Sequence, residues 1–389
     1  MGGMSIVSAL ILSRRTSAAF FTLGTFWGGF AALVPVIKAG LAVDDGLFGL
    51  LLLGSSFGLV TATWLAPRAD RLLGARGMQF AALGMAVVWQ GMGLVSLPWM
   101  FAFTMVFLGM SSGLLDVIMN SRVSELEARS GRSLMNVNHA MFSLGYALSA
   151  IATGIAREAG WGAAEVFAML GLLALGVALY LRAPAALVSA EEGYAGGYPL
   201  VTVLLCGAIV LVAFSSEATV ESWSALHVER TLGGGAAEGA LGPAMLGLTM
   251  AFGRFSGQAV AERFHEVPVI IGASLLSAAG AVIAALAPTP LVAYIGFGTL
   301  GLGVSVVGPM ALALVGKLVP PHLRTEAISK AAVMGFSGFF FAPVFMGLTS
   351  EMFGLRAAFV GVGLFLCLSV PLALMLQRHG RRLARSSGL

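Results

Sequence analysis

Long apolar segments recur along the whole chain and constrain its fold more than any other feature of the sequence. Many of them are about 20 residues long, the length that a helix needs to cross the hydrocarbon core of a bilayer. Charged residues make up 10% of the chain, whereas soluble domains carry about 25%. Only helices and closed barrels satisfy all backbone hydrogen bonds within lipid. Because the segments lack the alternation typical of barrel strands, we predict an all-α, multi-pass membrane protein.

The basic residues predict the orientation of twelve spans. Four of the 22 lysines and arginines fall in the connections opposite the termini: Lys38, Arg157, Arg230 and Arg356. The others fall in connections on the side of the termini or in the terminal segments. Basic residues concentrate on the cytoplasmic side of membranes, so we predict that both termini are cytoplasmic. The predicted spans are 17–40, 46–66, 77–97, 99–123, 135–157, 161–182, 200–226, 239–261, 267–287, 290–317, 325–350 and 355–377.

Other classes of protein fit the composition poorly. The two cysteines, Cys206 and Cys367, lie within apolar runs and indicate neither a disulfide framework nor a metal site. The basic residues are scattered among the connections, so we do not expect nucleic-acid binding. The first apolar segment is too long for the core of a signal peptide and lacks a clear cleavage pattern. We expect no cofactor and no enzymatic activity.

A polar connection divides the chain into two halves. The stretch APAALVSAEEGYAGGYP, residues 183–199, is the only sizeable polar linker. It separates a predicted six-helix bundle at 1–182 from a second at 200–389. The halves also repeat each other weakly, since FLGMSSG (107–113) is echoed by TLGLGVS (299–305). Duplicated helical units are typical of secondary transporters, in which the substrate site lies between the repeats.

These features resemble the major facilitator superfamily. Its signature loop reads roughly Gly-x-x-x-Asp-Arg-x-Gly-Arg-Arg, and the loop after the second span offers Ala66, Asp70, Arg71, Gly74 and Arg76, with one residue inserted. A second copy after the eighth span keeps Gly257, Glu262 and Arg263. The resemblance implies two six-helix bundles, a monomer, and a bacterial inner-membrane location. We expect a gating role for the charged residues near these loops, namely Asp70, Arg71, Arg76, Arg254, Glu262 and Arg263.

Three stretches resemble the fucose-permease-like branch of that superfamily. They are residues 27–54, LLDVIMN with the following HAMFSLG, and EATVESWSALHV at 217–228. In that branch an acid followed four residues later by Asn lies in the fourth span, and Asp116 with Asn120 matches it. The resemblance implies a substrate- or proton-binding role for Asp116. An acid of the first span is missing here, because residues 28–33 read GGFAAL.

The residues of span four support a site by themselves. An intramembrane carboxylate is costly, so Asp116 is a candidate functional group. Asn120 shares its helix face, because residues four apart are neighbours on a helix. The alternative is a structural role for Asp116, either a hydrogen bond or an ion pair with Arg122.

Further candidates lie on other spans. Glu217 and Glu221 form a second acidic pair on span seven, with Trp223 as a stacking platform or an interfacial aromatic residue. Trp27 either faces a cavity or packs, and Gln90 is a weaker cavity candidate. His139 could exchange protons near neutral pH, or it belongs to a cluster that caps a helix.

We therefore predict a secondary transporter of a small polar solute that is driven by an ion gradient, with a sugar-like compound as a candidate substrate and a proton as a candidate co-transported ion. One alternative is an exporter of drugs or metabolites. From other classes, GFSG (335–338) resembles an intramembrane serine-protease motif around Ser337, and a non-transporting membrane sensor is also open. GFGTLG (296–301) matches a dinucleotide fingerprint but lacks its strand–turn–helix context.

Overall fold

The computed structural model describes residues 5–184, 199–320 and 323–386, excluding the side chains of 257–263, 325 and 382–386. These residues form fourteen α-helices and no strand, which confirms the all-α prediction. The helices are α1 Ile6–Leu12, α2 Arg14–Leu41, α3 Asp45–Leu73, α4 Gly77–Val88, α5 Pro98–Ser130, α6 Met135–Glu158, α7 Ala163–Ala178, α8 Leu200–Leu226, α9 Ala236–Arg263, α10 Glu266–Ala285, α11 Pro290–Leu318, α12 Arg324–Phe336, α13 Gly338–Cys367 and α14 Ser369–Ser386.

Every predicted span overlaps helical residues. In the described part of the chain, eight helical stretches are long and apolar enough to cross a membrane, and two of them, Asp45–Leu94 and Glu326–Arg381, each contain two predicted spans. The helix α7 is apolar but shorter, and α9 is not among the eight. The count of twelve spans therefore remains a prediction. Most of the predicted linker, residues 185–198, lies outside the described residues.

The predicted boundary between the last two spans coincides with a break inside α13. Gly354 has a φ of 82° there, so the helix changes direction between 353 and 355. A positive φ is readily adopted only by glycine. The short helix α1 was not predicted from the sequence.

The helices pack in a repeated pattern. In the first half α2 packs along α6 and α3 along α5, and in the second half α8 packs along α12 and α13, and α9 along α11. Between the halves, α3 packs on α13 and α6 on α9, and α2 also contacts α8. The pairs α3–α13 and α6–α9 are equivalent under exchange of the two halves. The repeat in the sequence is thus matched by a repeat in the packing.

Glycines allow some of these helices to approach closely. A Cβ atom at Gly24 or Gly28 of α2 would lie 2.1 or 2.0 Å from a backbone oxygen of α6. Small residues permit such close helix contacts in membranes, so these two glycines allow α2 to pack against the backbone of α6.

The two ends of the helix bundle differ. We call the end with the α2–α3 connection, residues 42–44, and the α8–α9 connection, residues 232–235, the clamped end. The opposite end carries α1, the turn Gly74–Arg76 and the last turns of α14, and we call it the terminal end.

Candidate functional site

Asp116 lies in the interior of α5, and its polar partner is Asn120. The amide nitrogen Nδ2 of Asn120 donates to Asp116 Oδ1 at 3.0 Å and to the Asp116 carbonyl oxygen at 2.8 Å. Both side chains are half-buried. Within the described residues no basic side chain forms an ion pair with Asp116. A carboxylate accepts about four hydrogen bonds, so this one retains acceptor sites for a ligand or a proton.

The alternative ion pair between Asp116 and Arg122 is absent, because Arg122 is engaged elsewhere. Its guanidinium donates to both carboxylate oxygens of Asp70, at 3.0 and 2.5 Å, and to the Gly74 carbonyl oxygen at 3.1 Å. The Arg122 side chain is 3% exposed. This two-pronged contact ties the end of α3 to α5 and leaves Asp116 without a positive partner.

An ion pair between Glu217 and Arg254 lies in the interior of α8 and α9. Arg254 Nη2 donates to the Glu217 carboxylate oxygens at 3.2 and 3.5 Å. Its Nη1 reaches across to α6, where it donates to Ser143 Oγ at 2.6 Å and to the His139 carbonyl oxygen at 3.4 Å. One guanidinium thus joins the two halves of the molecule, away from both ends of the helices.

Two further polar groups lie beside this ion pair without a hydrogen bond. Glu221, one helical turn after Glu217, interacts electrostatically with Glu217 and Arg254. It forms no hydrogen bond or ion pair within the described part of the chain. The Tyr146 hydroxyl on α6 is buried and has no hydrogen-bond partner. It interacts electrostatically with both glutamates. Buried polar groups are nearly always hydrogen-bonded, so this acceptor and donor are candidates for contact with a bound polar molecule.

His139 contributes to this cluster through its main chain and its ring packing. Its carbonyl oxygen accepts the hydrogen bond from Arg254. Its ring meets Phe20 of α2 edge to face, with 4.8 Å between the ring centroids. The histidine therefore lies at the Arg254 cluster, whereas its proposed role in proton exchange remains a prediction.

Trp27 and Gln90 pack within the first half. Trp27 is half-buried and meets Trp89 edge to face at 5.1 Å between ring centroids. Gln90 donates to the carbonyl oxygens of Ala86 and Phe167, each at 2.8 Å, and so links α4 to α7. These contacts favour the packing interpretation for Trp27 and give Gln90 a structural role between helices.

Trp223 lies at the contact between the halves. It is fully buried, and its ring meets Phe48 of α3 edge to face at 5.8 Å. Its indole nitrogen has no hydrogen-bond partner. Because neither face of the ring is accessible, Trp223 cannot stack on a ligand in this structure. Its contacts favour a packing role between α8 and α3.

The residues expected to act in gating separate into different environments. Asp70 holds Arg122 within the first half. Arg71 and Arg76 are exposed at the terminal end, and neither forms an ion pair with another described residue. The side chains of Glu262 and Arg263 lie outside the described residues. Arg254, grouped with these loops by its charge, is instead part of the interior cluster described above.

A network centred on Asp45 holds the halves together at the clamped end. Arg230 donates to Asp45 through both guanidinium nitrogens, at 2.7 and 2.5 Å, and Lys38 lies 2.9 Å from the same carboxylate. Ser350 of α13 also donates to Asp45, and the Asp45 backbone nitrogen donates to Glu351 at 2.9 Å. The carboxylate, which is almost fully buried, therefore connects α2 and α3 of the first half to α8 and α13 of the second.

A second ion pair joins the halves beside the first. Arg157 at the end of α6 donates to both oxygens of Glu229, at 2.7 and 3.0 Å, and to the Ala32 carbonyl oxygen at 2.6 Å. Glu229 and Arg230 are consecutive residues in a π-helical turn, His227–Thr231, that follows α8. This wider turn presents neighbouring side chains to two different helices of the other half, and such turns are frequent at functional sites.

Sequence reasoning did not select these clamp residues, although a signal was present. Lys38, Arg157 and Arg230 are three of the four basic residues predicted on the side opposite the termini. Basic residues on that side are disfavoured, so each of them indicates a specific structural or functional role. The acidic partners, Asp45 and Glu229, lie in or next to the same connections.

Two other kinds of site find little support in the described residues. Among them, no group of three or more histidine, cysteine, aspartate or glutamate side chains could hold a metal ion. The Ser337 hydroxyl donates to the Met334 carbonyl oxygen at 2.6 Å, and no described histidine forms a hydrogen bond with it. Among the described residues, no histidine is therefore placed to act as the general base of the protease motif.

The chain is similar in sequence to transporters. Residues 205–388 match the family model described as the Major Facilitator Superfamily. Over 360 residues the chain is 28% identical to an uncharacterised transporter of that type from Yersinia pestis, covering 90% of this chain and 92% of that protein. A short match of 80 residues is 38% identical to a proton myo-inositol cotransporter of Caenorhabditis elegans and covers 21% of this chain and 13% of that protein.

The fold is similar to solved transporter structures over nearly the whole chain. A bacterial homologue of the human lysosomal transporter Spinster, in an inward-facing and occupied conformation, gives a TM-score of 0.75 at 18% identity, covering 97% of this chain and 98% of that one. A nucleoside transporter gives 0.72 at 15% identity, covering 94% and 99%. A D-xylose–proton symporter gives 0.69 at 16% identity, covering 94% and 97%. At these identities the similarity shows the fold alone.

Proposed function

We propose that this chain is a secondary active transporter of the major facilitator superfamily, which carries a small polar solute by alternating access. The packing supports this mechanism. The two halves meet along the equivalent pairs α3–α13 and α6–α9, so a rocking motion about these contacts would open one end as the other closes. Proteins built from repeated helical units transport in this way, with the site between the repeats.

The observation that carries the proposal is the presence of two acids without a basic partner inside a membrane protein. Asp45, Asp70, Glu217 and Glu229 each pair with an arginine. Asp116 has only the Asn120 amide, and Glu221 has no hydrogen bond within the described residues. Uncompensated intramembrane acids are costly and mark substrate or proton pathways. We assign Asp116 and Asn120 to one side of the site, and Glu221, Glu217 and Arg254 to the other.

A polyhydroxylated solute such as a sugar or a cyclitol suits these groups. Carboxylate oxygens accept hydrogen bonds from hydroxyl groups, and the Tyr146 hydroxyl and the Asn120 amide supply donors. The named substrates of similar proteins, a nucleoside, xylose and myo-inositol, are all rich in hydroxyl groups. An unpaired acid that alternates between protonated and charged forms would couple the movement to a proton gradient.

The distribution of basic residues supports placing both termini in the cytoplasm. From the family resemblance we further infer a monomer in a bacterial inner membrane. The clamped end then faces outward. Its ion pairs close that side, and we propose that the solute exchanges with the cytoplasm when these pairs are formed.

The unpaired acids also favour a second candidate, the export of a cationic compound. A negative site without a basic partner attracts a positive ligand, and the partly apolar surroundings would accept an organic cation. The two candidate functions differ in the substrate that the site binds, which is a hydroxyl-rich solute in the first and an organic cation in the second.

Transport by the reconstituted full chain tests both candidates. Proteoliposomes would be assayed with pentoses, hexoses, cyclitols, nucleosides and cationic dyes, with and without a pH gradient. We expect flux of one hydroxyl-rich class that the gradient stimulates and that Asp116→Asn abolishes. The control, Glu326→Gln, removes an exposed acid paired with Lys330 and should transport normally. Normal, gradient-dependent flux by Asp116→Asn would refute the assignment, and ligand binding without any flux would indicate a sensor.

A further inference from the structure

A cleft lies at the terminal end of the first half, apart from the proposed transport site. Its volume is about 340 Å³, and its walls come from α1, the start of α2, the end of α5 and residues 183–184. This volume is within the range of about 300–1,000 Å³ found for small-molecule sites. None of the unpaired acids lines it.

The cleft is strongly basic. Its lining includes Arg14, Arg15, Arg122 and Arg129, with Glu125 as the acidic residue. Two of these arginines are neutralised, since Arg122 pairs with Asp70 and Arg129 with Glu125. Arg14 and Arg15 are exposed and form no hydrogen bond or ion pair with any residue that the structure describes. Two uncompensated positive charges therefore line a cleft large enough for a phosphate group and its substituents.

One side of the cleft is apolar, and a small soluble anion would make no favourable contact with it. The helix α1 contributes Ile11 and Leu12 to the lining, and Ile6, Val7 and Ile11 are exposed, the last two at 65%. This short helix lies directly before a membrane-spanning helix, where its exposed side chains can be covered by acyl chains. A ligand that combines an anionic group with an acyl chain fits both features.

We propose that this cleft binds the phosphodiester headgroup of an anionic membrane phospholipid. Arg14 and Arg15 bind the phosphate oxygens, since guanidinium groups form strong charge-assisted hydrogen bonds with phosphate. The acyl chains lie against α1. Basic pockets between membrane helices at the cytoplasmic surface are typical sites for such headgroups. Because Arg122 also lines the cleft, a bound lipid would lie next to the Arg122–Asp70 contact that ties α3 to α5.

Native mass spectrometry and thermal unfolding of the purified full chain test this proposal. The protein in neutral detergent would be titrated with phosphatidylglycerol, with phosphatidylcholine, and with glycerol phosphate as the soluble anion. We expect phosphatidylglycerol to bind at one dominant site and to raise the Tm, and the other two compounds to do neither. Arg14→Gln/Arg15→Gln should weaken binding by about thirty-fold, since each basic residue near an anionic surface strengthens binding about five-fold.

The control pair Arg378→Gln/Arg381→Gln removes two exposed arginines of α14 and should leave the affinity for phosphatidylglycerol unchanged. If Arg14→Gln/Arg15→Gln does not fold, Arg14→Lys/Arg15→Lys keeps the charge and should retain most of the binding. Three results would each overturn the proposal. Phosphatidylcholine could bind as tightly as phosphatidylglycerol, Arg14→Gln/Arg15→Gln could bind phosphatidylglycerol with undiminished affinity, or this variant and the control pair could lose affinity equally. An equal Tm shift with glycerol phosphate would show an anion site rather than a lipid site.

Discussion

Arg254 of α9 and Glu217 of α8 form an ion pair inside the helix bundle, and the same guanidinium hydrogen-bonds to Ser143 of the other half. Each of the two charged side chains is 12% exposed. A charge in this position is stable only while its partner is present, because desolvation of an unpaired ion is costly. The pair therefore connects the stability of the second half to the contact between the halves.

Replacing one partner of this pair should destabilise the protein more than replacing both. Arg254→Gln and Glu217→Gln should each cost about 3–5 kcal/mol, the range for removing one partner of a buried pair. The combined variant should recover much of that loss, because no buried charge of the pair remains unpaired. The apparent Tm of the three variants in detergent measures this coupling, and additive losses would contradict it.

Glu221 should behave differently from Glu217, one turn away. Because it has no positive partner of its own and lies close to another carboxylate, Glu221→Gln should leave the Tm unchanged or raise it. We expect flux to fall by about ten- to a hundred-fold, since a hydrogen bond to a charged group contributes about 1.5–3 kcal/mol. Flux and Tm measured on the same preparation check this separation, and a variant that transports normally would contradict it.

The sequence predicted the membrane helices well because their cause is local. Length and apolar composition select a helix that crosses a bilayer, and each predicted span overlaps a helix in the structure. The pairing of Asp116 with Asn120 was also predictable, since it depends only on the period of one helix. The predicted connection between the last two spans, residues 351–354, also coincides with the break at Gly354.

Contacts between distant segments could not be predicted in the same way. Arg254 and Glu217 are separated by 37 residues, and each charge alone was compatible with several partners. The sequence therefore assigned Arg254 to a loop and Glu217 to a binding site. The Asp45 network depends on a π-helical turn that no composition signal marks. Which half of the chain supplies each partner is decided by the packing of α3 on α13 and of α6 on α9.

Asp45→Asn should open the clamped end. The change removes the charge that holds Arg230 and Lys38, which weakens the closed arrangement by about 1–3 kcal/mol and raises the open population about five- to 150-fold. The reporter would be Ala150→Cys in a chain lacking Cys206 and Cys367, because Ala150 is buried against Ala32, Ala240 and Ala244. Its reaction with a membrane-impermeant maleimide should become faster in the Asp45→Asn background.

A matched reporter separates opening from general loosening of the fold. Ala86→Cys lies in the core of the first half, away from the contact between the halves, and should stay unreactive with and without Asp45→Asn. Equal acceleration at both cysteines would show that the variant is partly unfolded. No acceleration at Ala150→Cys would show that the Asp45 network does not hold this end closed.

Gly49→Ala tests the same interface through its packing rather than its charges. A Cβ atom at Gly49 of α3 would lie 2.3 Å from the Pro343 carbonyl oxygen and 3.0 Å from the Gly347 Cα of α13. The two helices must separate to accept it, and overpacking of this kind costs about 1–3 kcal/mol. We expect a lower Tm and faster labelling of Ala150→Cys, although every charge of the clamp is retained.

The control is Gly84→Ala on α4, where a Cβ atom would meet open space. That change should stabilise the helix by about 1 kcal/mol, since alanine is the better helix former. If Gly49→Ala behaved like Gly84→Ala, the close approach of α3 and α13 would not contribute to closing this end.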